Sequence, residues 1–159
     1  MRKLMSRGEE TYSSDVFQIL FEYEVARSLR YPAPLTLLKI EMTSYIIKEE
    51  APEIVSSTFS TALNQYLRSV DIPSKNGNMY TVLLPTSDGQ GAHAVCDRLI
   101  SVFKKKLDSP AGNPISFSLQ IGATSHSGGE SISGEAILQK AEEALRQSKL
   151  KGTHTYVIL

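Results

Sequence analysis

Residues 76–84, Asn-Gly-Asn-Met-Tyr-Thr-Val-Leu-Leu, place a turn signal directly before an apolar run. Asn76-Gly77 is a favoured pair for a two-residue type I′ turn, because both central residues of that turn need positive φ. The run that follows has the β-branched and aromatic residues typical of a strand. On the other side of the turn, Pro73 has no N–H for a β-ladder and therefore favours an edge strand or a distorted one. The segment predicts a β-hairpin whose first strand lies at the edge of a sheet.

Helices and strands alternate on both sides of this hairpin. Residues 13–15, Ser-Ser-Asp, offer N-caps for a first helix, which should end before Pro32. The short apolar run 35–42 predicts a buried strand. The further predicted elements, in chain order, are a helix from about Pro52 to Val70, a helix after Ser87-Asp88, a strand over 114–124, a Gly/Ser loop over 125–133, a helix over 135–149 and a strand over 155–159.

This order predicts an α+β fold: a ferredoxin-like split βαββαβ core with an extra N-terminal helix and an antiparallel hairpin. The helices are expected on one face of the sheet. Residues 1–12 are polar and show no apolar period, so we interpret them as a tail or the end of a linker. One domain is expected over residues 13–159, because 159 residues suffice for a single domain of ordinary size.

Composition excludes several functional classes. Lys plus Arg number 17 and Asp plus Glu number 17, and this zero net charge argues against a nucleic-acid binder or a polybasic membrane-surface protein. Cys96 is the only cysteine, so no internal disulfide can form. The three histidines are too far apart for zinc-ligand spacing. No apolar run is long enough to span a bilayer, and the N-terminus lacks the apolar stretch of a signal peptide. A cytoplasmic location without membrane insertion is expected.

Several short strings, taken in their order, resemble the GGDEF domain, the bacterial diguanylate cyclase domain. The resemblance covers roughly residues 14–158 and implies a nucleotide-cyclase-like form of the split core, with a role in cyclic di-GMP signalling. The strings that carry it are Glu-Val-Ala-Arg-Ser-Leu-Arg-Tyr at 24–31 with Pro-Leu at 34–35, Tyr-Thr-Val-Leu-Leu-Pro at 80–85, Ile-Gly-Ala at 121–123, and Ala-Glu-Glu-Ala-Leu at 141–145 followed by Lys149 and Gly152.

The family's signature is altered in this chain. Asn76-Gly77-Asn78-Met79-Tyr80 stands where the family has Gly-Gly-Asp/Glu-Glu-Phe. In the family, those acidic positions help to hold divalent metal and the phosphates of GTP. Magnesium prefers carboxylate oxygens, whereas Asn78 offers a neutral amide and Met79 a thioether. The resemblance therefore implies a degenerate GGDEF domain with no catalytic residues, no magnesium site and no diguanylate cyclase activity.

Other family positions are partly kept. Glu41 falls where the family has the metal-binding Asp of its first strand, and is interpreted either as a vestigial ligand or as a strand-end carboxylate that faces water or pairs with a lysine. Lys149 matches the family's phosphate-binding lysine, or simply complements the dipole at a helix C-terminus. Thr43 replaces a second Asp, while Tyr45 and Ile46 replace the Phe and Lys of the phosphate-contacting loop. The guanine-reading residues of the family cannot be carried over.

Arg68-Ser-Val-Asp71 matches the RxxD motif of the family's inhibitory site, which binds cyclic di-GMP. The planar guanidinium of an arginine suits a guanine edge or a phosphate, and an aspartate can accept hydrogen bonds from the N–H groups of guanine. The alternative is an ordinary ion pair between residues i and i+3. The spacing from Asp71 to the signature turn is one residue short of the family's.

Three functions stay open for an inactive signalling domain. The first is a cyclic di-GMP receptor that uses Arg68 and Asp71. The second is a protein-interaction or regulatory scaffold with a vestigial nucleotide site, and a protein partner or homodimer is expected. The third is a GTP-binding allosteric domain that uses Lys149 and Glu41. An unrelated ferredoxin-like interaction domain would instead lack the first helix or the hairpin.

Overall fold

The computed structural model describes residues 8–159, and four helices and six strands lie within them. The helices are α1 (Ser14–Arg30), α2 (Pro52–Gln65), α3 (Gly89–Phe103) and α4 (Gly134–Lys151). The strands are β1 (Leu35–Ile46), β2 (Ile72–Asn76), β3 (Met79–Pro85), β4 (Leu107–Asp108), β5 (Pro114–His126) and β6 (Thr155–Ile158).

The strands form one sheet in the order β2-β3-β1-β5-β4, with β6 added beside β5. All pairs are antiparallel except β5–β6, which is parallel. The central strand β1 lies between β3 and β5, as the split βαββαβ arrangement requires. The predicted α+β fold class is confirmed, and β2 with its Pro73 lies at the sheet edge.

The expectation that the helices lie on one face is wrong. Alternate residues of a strand point to opposite faces, and Leu38 and Ile40 of β1 pack in a core cluster with residues of α2 and α3. Leu35 and Leu37 pack instead with residues of α1 and α4. Both faces of β1 are apolar over this stretch, so each face needs a helical layer to exclude water.

Side-chain caps begin three of the helices, and the sequence predicted those of α1 and α3. The Ser13 hydroxyl accepts the N–H of Val16 at α1 (3.3 Å), and the Asp88 carboxylate accepts the N–H of Gly91 at α3 (3.0 Å). Ser133 does the same at α4. Each cap satisfies a backbone donor that has no partner within its helix, which stabilises that end.

Helix α2 ends at Gln65, earlier than the predicted Val70. The N–H of Tyr66 bonds to the carbonyl of Leu63 in a tighter, three-residue turn. The Asp71 carboxylate then accepts the N–H of Arg68 at 2.6 Å. A side chain that bonds to nearby backbone competes with helical hydrogen bonding. Arg68 and Asp71 therefore lie in a turn before β2.

Strand β1 is longer than predicted and continues to Ile46. The reason is its neighbour β5, which pairs with it residue by residue from Leu35↔His126 to Ile46↔Ile115. The two-residue strand β4, which the sequence did not predict, pairs with the start of β5.

Gly122 fixes how closely α4 approaches the sheet. A Cβ at this position would lie 2.0 Å from the backbone nitrogen of Leu145, so no larger residue fits there without moving the helix. This close contact brings the C-terminal half of α4 over the middle of β1 and β5, where the candidate site lies.

The predicted tail over residues 1–12 lies partly outside the described residues. Within the described part, Asn64 of α2 donates to the carbonyls of Gly8 and Glu10, and Tyr12 forms a β-bridge with Ser74. Residues 8–12 thus follow α2 and the edge of β2. Across residues 8–159, no helix combines the length and the apolar character that crossing a bilayer requires.

Candidate functional site

The signature turn connects β2 to β3 through Gly77 and Asn78, with Asn76 paired to Met79. Gly77 has φ +65°, whereas Asn78 is not among the residues with positive φ. Positive φ at the first central residue alone is the pattern of a type II′ turn, in which glycine is favoured at that place. The hairpin is therefore confirmed, but the expected type I′ turn with Asn76 at its centre is wrong.

The side of this turn that faces β1 carries no carboxylate of its own. Met79 lies opposite Glu41 in the β1–β3 register, and the carbonyl of Asn78 accepts the N–H of Met42 (3.0 Å). Asn78 thus contributes to the ladder through its backbone. In the β1–β3 register, Glu41 is the one acidic residue next to the signature turn.

Glu41 forms an ion pair with Lys149, with 2.9 Å between Oε1 and Nζ. The carboxylate side chain is 24% exposed and the lysine side chain 49% exposed. The structure thus brings together the two residues that the sequence placed at vestigial metal and phosphate positions, and they neutralise each other. Of the two interpretations of Glu41, the geometry shows a carboxylate paired with a lysine.

The pair lies in a cleft between the sheet and the last turns of α4, which we name the α4 cleft. It has a volume of about 420 Å³. Its lining residues are Lys39, Glu41, Met79, Glu142, Leu145, Arg146, Lys149 and Leu150.

The donors at the head of this cleft do not fit a magnesium ion. Magnesium requires several hard oxygen ligands in near-octahedral geometry. Here Glu41 is already paired with an ammonium group, its neighbour Met79 offers sulfur, and the other carboxylate among the lining residues is that of Glu142 on α4. Residues 8–159 contain no group of three His, Cys, Asp or Glu side chains placed to hold a metal.

The positions that replace the family's phosphate loop lie in a strand. Thr43, Tyr45 and Ile46 continue β1 and pair with Ser118, Ser116 and Ile115 of β5. Five residues, 47–51, then lead to α2. A strand that stays in its ladder cannot curl its backbone N–H groups around a phosphate, which is how a phosphate-binding loop works.

Glu50 anchors this short connection, a role that the sequence did not reveal. Its carboxylate accepts hydrogen bonds from the Ser109 hydroxyl and from Asn113 Nδ2. These two donors lower the pKa of Glu50, the bond from Ser109 contributing most. No sequence motif could have identified this role of Glu50, because its two hydrogen-bond partners lie about sixty residues away in the turn between β4 and β5.

Tyr80, the last residue of the signature, is a core residue. Its ring is fully buried and lies 4.8 Å from the ring of Phe59, centroid to centroid. Its hydroxyl is 2.8 Å from the hydroxyl of Ser60, which satisfies the buried polar atom. Burial raises the pKa of Tyr80, so the phenol stays protonated. Tyr80 thus anchors the start of β3 in the hydrophobic core.

Arg68 and Asp71 form a compact group with the start of the loop after β3, and we name Arg68, Asp71, Pro85 and Ser87 the turn clamp. The guanidinium donates to Asp71 Oδ1 from Nε (3.1 Å) and Nη2 (2.8 Å). Nη2 also reaches the carbonyl of Pro85 at 2.6 Å and the Ser87 hydroxyl at 3.1 Å. The clamp ties the turn before β2 to the loop before α3.

The two members of the RxxD motif differ in exposure. The side chain of Asp71 is 2% exposed, and both of its oxygens accept hydrogen bonds from Arg68. The side chain of Arg68 is 48% exposed. In this arrangement an external guanine has no access to the Asp71 carboxylate, while part of the guanidinium still faces solvent. The predicted ligand site at Arg68 and Asp71 stays a prediction.

No protein-family model matches this sequence, and no curated protein matches it either. Solved structures do. The chain is similar to the GGDEF domain of TpbB (YfiN) from Pseudomonas aeruginosa, with TM-score 0.75 and 18% identity over 96% of this chain and 92% of that one. It is also similar to the coiled-coil and GGDEF domains of DgcB from Caulobacter crescentus in complex with cyclic di-GMP, with TM-score 0.75, 13% identity, and 99% and 87% covered.

A third similar structure is the diguanylate cyclase SiaD of Pseudomonas aeruginosa in complex with its activator SiaC, with TM-score 0.74 and 20% identity over 94% of this chain. The chain spans 59% of that protein. These likenesses cover nearly every described element and include the hairpin and the first helix, which an unrelated ferredoxin-like domain would lack. The resemblance found in the sequence is confirmed at the level of the fold: the chain has the fold of a GGDEF domain.

Proposed function

We propose that this domain is a non-catalytic signalling module, a GGDEF-type domain without diguanylate cyclase activity that acts by contact with other molecules. The observation that carries the proposal is the Glu41–Lys149 ion pair at 2.9 Å. It occupies the place where a cyclase would need free carboxylates for metal and a free cation for phosphate.

Phosphoryl-group chemistry depends on metal and cations that position and neutralise the phosphates. The α4 cleft offers the paired carboxylate of Glu41, the carboxylate of Glu142 and the thioether of Met79, and the strand continuation of β1 replaces the phosphate loop. Each of these features alone would weaken GTP binding. Together they support a domain that holds neither the metal nor the triphosphate in a reactive geometry.

The test is product formation from GTP and magnesium by the purified chain, beside an active GGDEF domain under the same conditions. We expect no cyclic di-GMP above the level without protein. Steady product formation that scales with protein concentration would contradict the proposal. Titration with GTP, with and without magnesium, tests the allosteric alternative, and we expect no binding because a paired strand stands in place of the phosphate loop.

A second candidate function is reception of cyclic di-GMP through the turn clamp. The half-exposed guanidinium of Arg68 favours it, and the solved structure of DgcB contains this dinucleotide in a protein of the same fold. The burial of Asp71 opposes it, because the carboxylate would have to leave its bonds to Arg68 before it could contact guanine.

Calorimetric titration with cyclic di-GMP separates the receptor from the scaffold. Binding by the wild type that disappears in Arg68→Ala, and persists in the control Arg27→Ala, would support the receptor. Arg27 is a suitable control because it also forms an ion pair with a residue three positions away, Glu24. Absence of binding by the wild type would leave the interaction module.

A further inference from the structure

Helix α1 has two apolar sides, and only one of them faces the core. Phe17 and Phe21 are buried in the cluster beneath it. Val16, Ile19 and Tyr23 follow each other at spacings of three and four residues, which places them on a common side of the helix. Ile19 is 67% exposed and Tyr23 is 64% exposed. We name Val16, Ile19, Tyr23 and the exposed Ala26 the α1 stripe.

An apolar side of this kind marks a contact surface. A monomeric surface helix needs one apolar stripe for its core, and polar residues normally cover the rest. Of the twelve large exposed apolar side chains among residues 8–159, four lie on α1 and a fifth, Tyr31, follows it directly. This concentration exceeds the scattered surface apolar residues that need no explanation.

The charges on α1 indicate which partner fits. Asp15 lies in its first turn, and Arg27 and Arg30 lie in its last turn. Two copies of the helix packed antiparallel bring the acidic part of each against the basic part of the other. With the middle of the helix as the centre, Asp15 of one copy stands opposite Arg30 of the second. The surface is therefore complementary to itself in both apolar character and charge.

We propose that α1 is a homodimer interface, in which the α1 stripes of two copies pack antiparallel around a two-fold axis near Tyr23. Such an isologous contact uses the same patch on both subunits, and every favourable pair occurs twice. Ile19 of one copy lies against Ala26 of the second, and Asp15 pairs with Arg30 at each end. The α4 cleft and the turn clamp lie outside this interface, so the dimer does not depend on a nucleotide.

Sedimentation velocity across a series of protein concentrations tests the stripe. We expect the wild-type mass to rise from 17.5 kDa towards twice that value. Ile19→Glu should remain at the monomer mass at every concentration. The control Ile47→Glu alters an isoleucine of similar exposure (77%) in the connection after β1, and should dimerise like the wild type. A monomeric wild type, an Ile19→Glu variant that dimerises normally, or a monomeric Ile47→Glu would each overturn the proposal.

Charge reversal tests the antiparallel arrangement. Asp15→Arg alone places two arginines opposite each other at both ends, and Arg30→Asp alone places two aspartates there, so each variant should be monomeric. An equimolar mixture of the two should dimerise, because both ends of the mixed dimer then join opposite charges. Circular dichroism confirms that each variant is folded. Dimerisation of either single variant at the wild-type concentration, or failure of the mixture to dimerise, would refute this geometry.

Discussion

The turn clamp and the α4 cleft each contain an ion pair at a position that resembles a ligand site of the GGDEF family, yet the two pairs differ in burial. Asp71 is 2% exposed and bonds to both the backbone and the side chain of Arg68. Glu41 and Lys149 remain open to solvent. A buried carboxylate that has lost its donors is costly, whereas exposed pairs contribute little.

This difference predicts that the turn clamp contributes more to the stability of the fold than the Glu41–Lys149 pair does. The turn clamp joins two parts of the chain: the turn between α2 and β2, and the end of β3 with the loop that follows it. The Glu41–Lys149 pair of the α4 cleft is partly open to solvent, so we expect its residues to be replaceable at little cost to the fold. Substitutions can test that contrast, first at the clamp and then at the cleft.

Asp71→Ala has the largest expected effect. The substitution removes the buried acceptor of three hydrogen bonds from Arg68, one of them from its backbone N–H. We expect a loss of about 2–4 kcal/mol in the free energy of unfolding. Urea denaturation followed by circular dichroism measures it. The control Glu143→Ala, which removes an exposed acid, should be much milder, and equal losses in the two variants would show that the clamp is not structural.

Arg68→Lys should have an intermediate effect. The ammonium group keeps the charge but cannot reach Asp71, Pro85 and Ser87 at once, as the guanidinium fork does. A decrease of about 1–2 kcal/mol in the free energy of unfolding is expected from the lost hydrogen bonds. The same urea titration measures it. A variant as stable as the wild type would mean that charge alone holds the clamp.

Lys149→Ala should change the free energy of unfolding by no more than about 0.5 kcal/mol, because the Glu41–Lys149 pair is exposed. The measurement is again urea denaturation, at low and at high salt, and any small loss should shrink as salt screens the pair. A loss as large as that of Asp71→Ala would erase the contrast between the two regions.

The smallest expected effect concerns the pKa of Glu143 on α4. Hydrogen bonds from Arg146 and then Gln147 lower the pKa of Glu143 from 4.5 to about 2. Because the folded-state pKa is depressed, any stabilisation is present above pH 4.5 and is lost as the pH falls towards 2. NMR titration of the side-chain carboxyl carbon measures this pKa, and Arg146→Ala should raise it. An unchanged pKa in that variant would show that the bond from Arg146 is not formed in solution.

The sequence predicted features that depend on local chemistry. The hairpin at Gly77, the N-caps Ser13 and Asp88 and the edge position of Pro73 all follow from preferences of a few neighbouring residues. These preferences act within one turn or one ladder, so no knowledge of the whole fold is needed to predict them.

Features that depend on distant partners could not be predicted. The length of β1 depends on β5, which begins nearly seventy residues after Ile46. The bonds from Arg68 to Pro85 and Ser87 join different elements, and a motif read from four consecutive residues gives no sign of them. The sequence allowed a lysine partner for Glu41, but only the packing of α4 on Gly122 identifies it as Lys149.

We propose that several features of the α4 cleft together, and not the altered signature turn alone, remove diguanylate cyclase activity. Cyclic di-GMP formation from GTP and magnesium, measured on the wild type and on Asn78→Asp/Met79→Glu, tests it most directly. We expect no product from the wild type. We also expect none from the variant, because the Glu41–Lys149 pair would remain beside the restored acids and β1 would still replace the phosphate loop. Product from the wild type would contradict the claim outright, and product from the variant alone would contradict the role given to the extended β1.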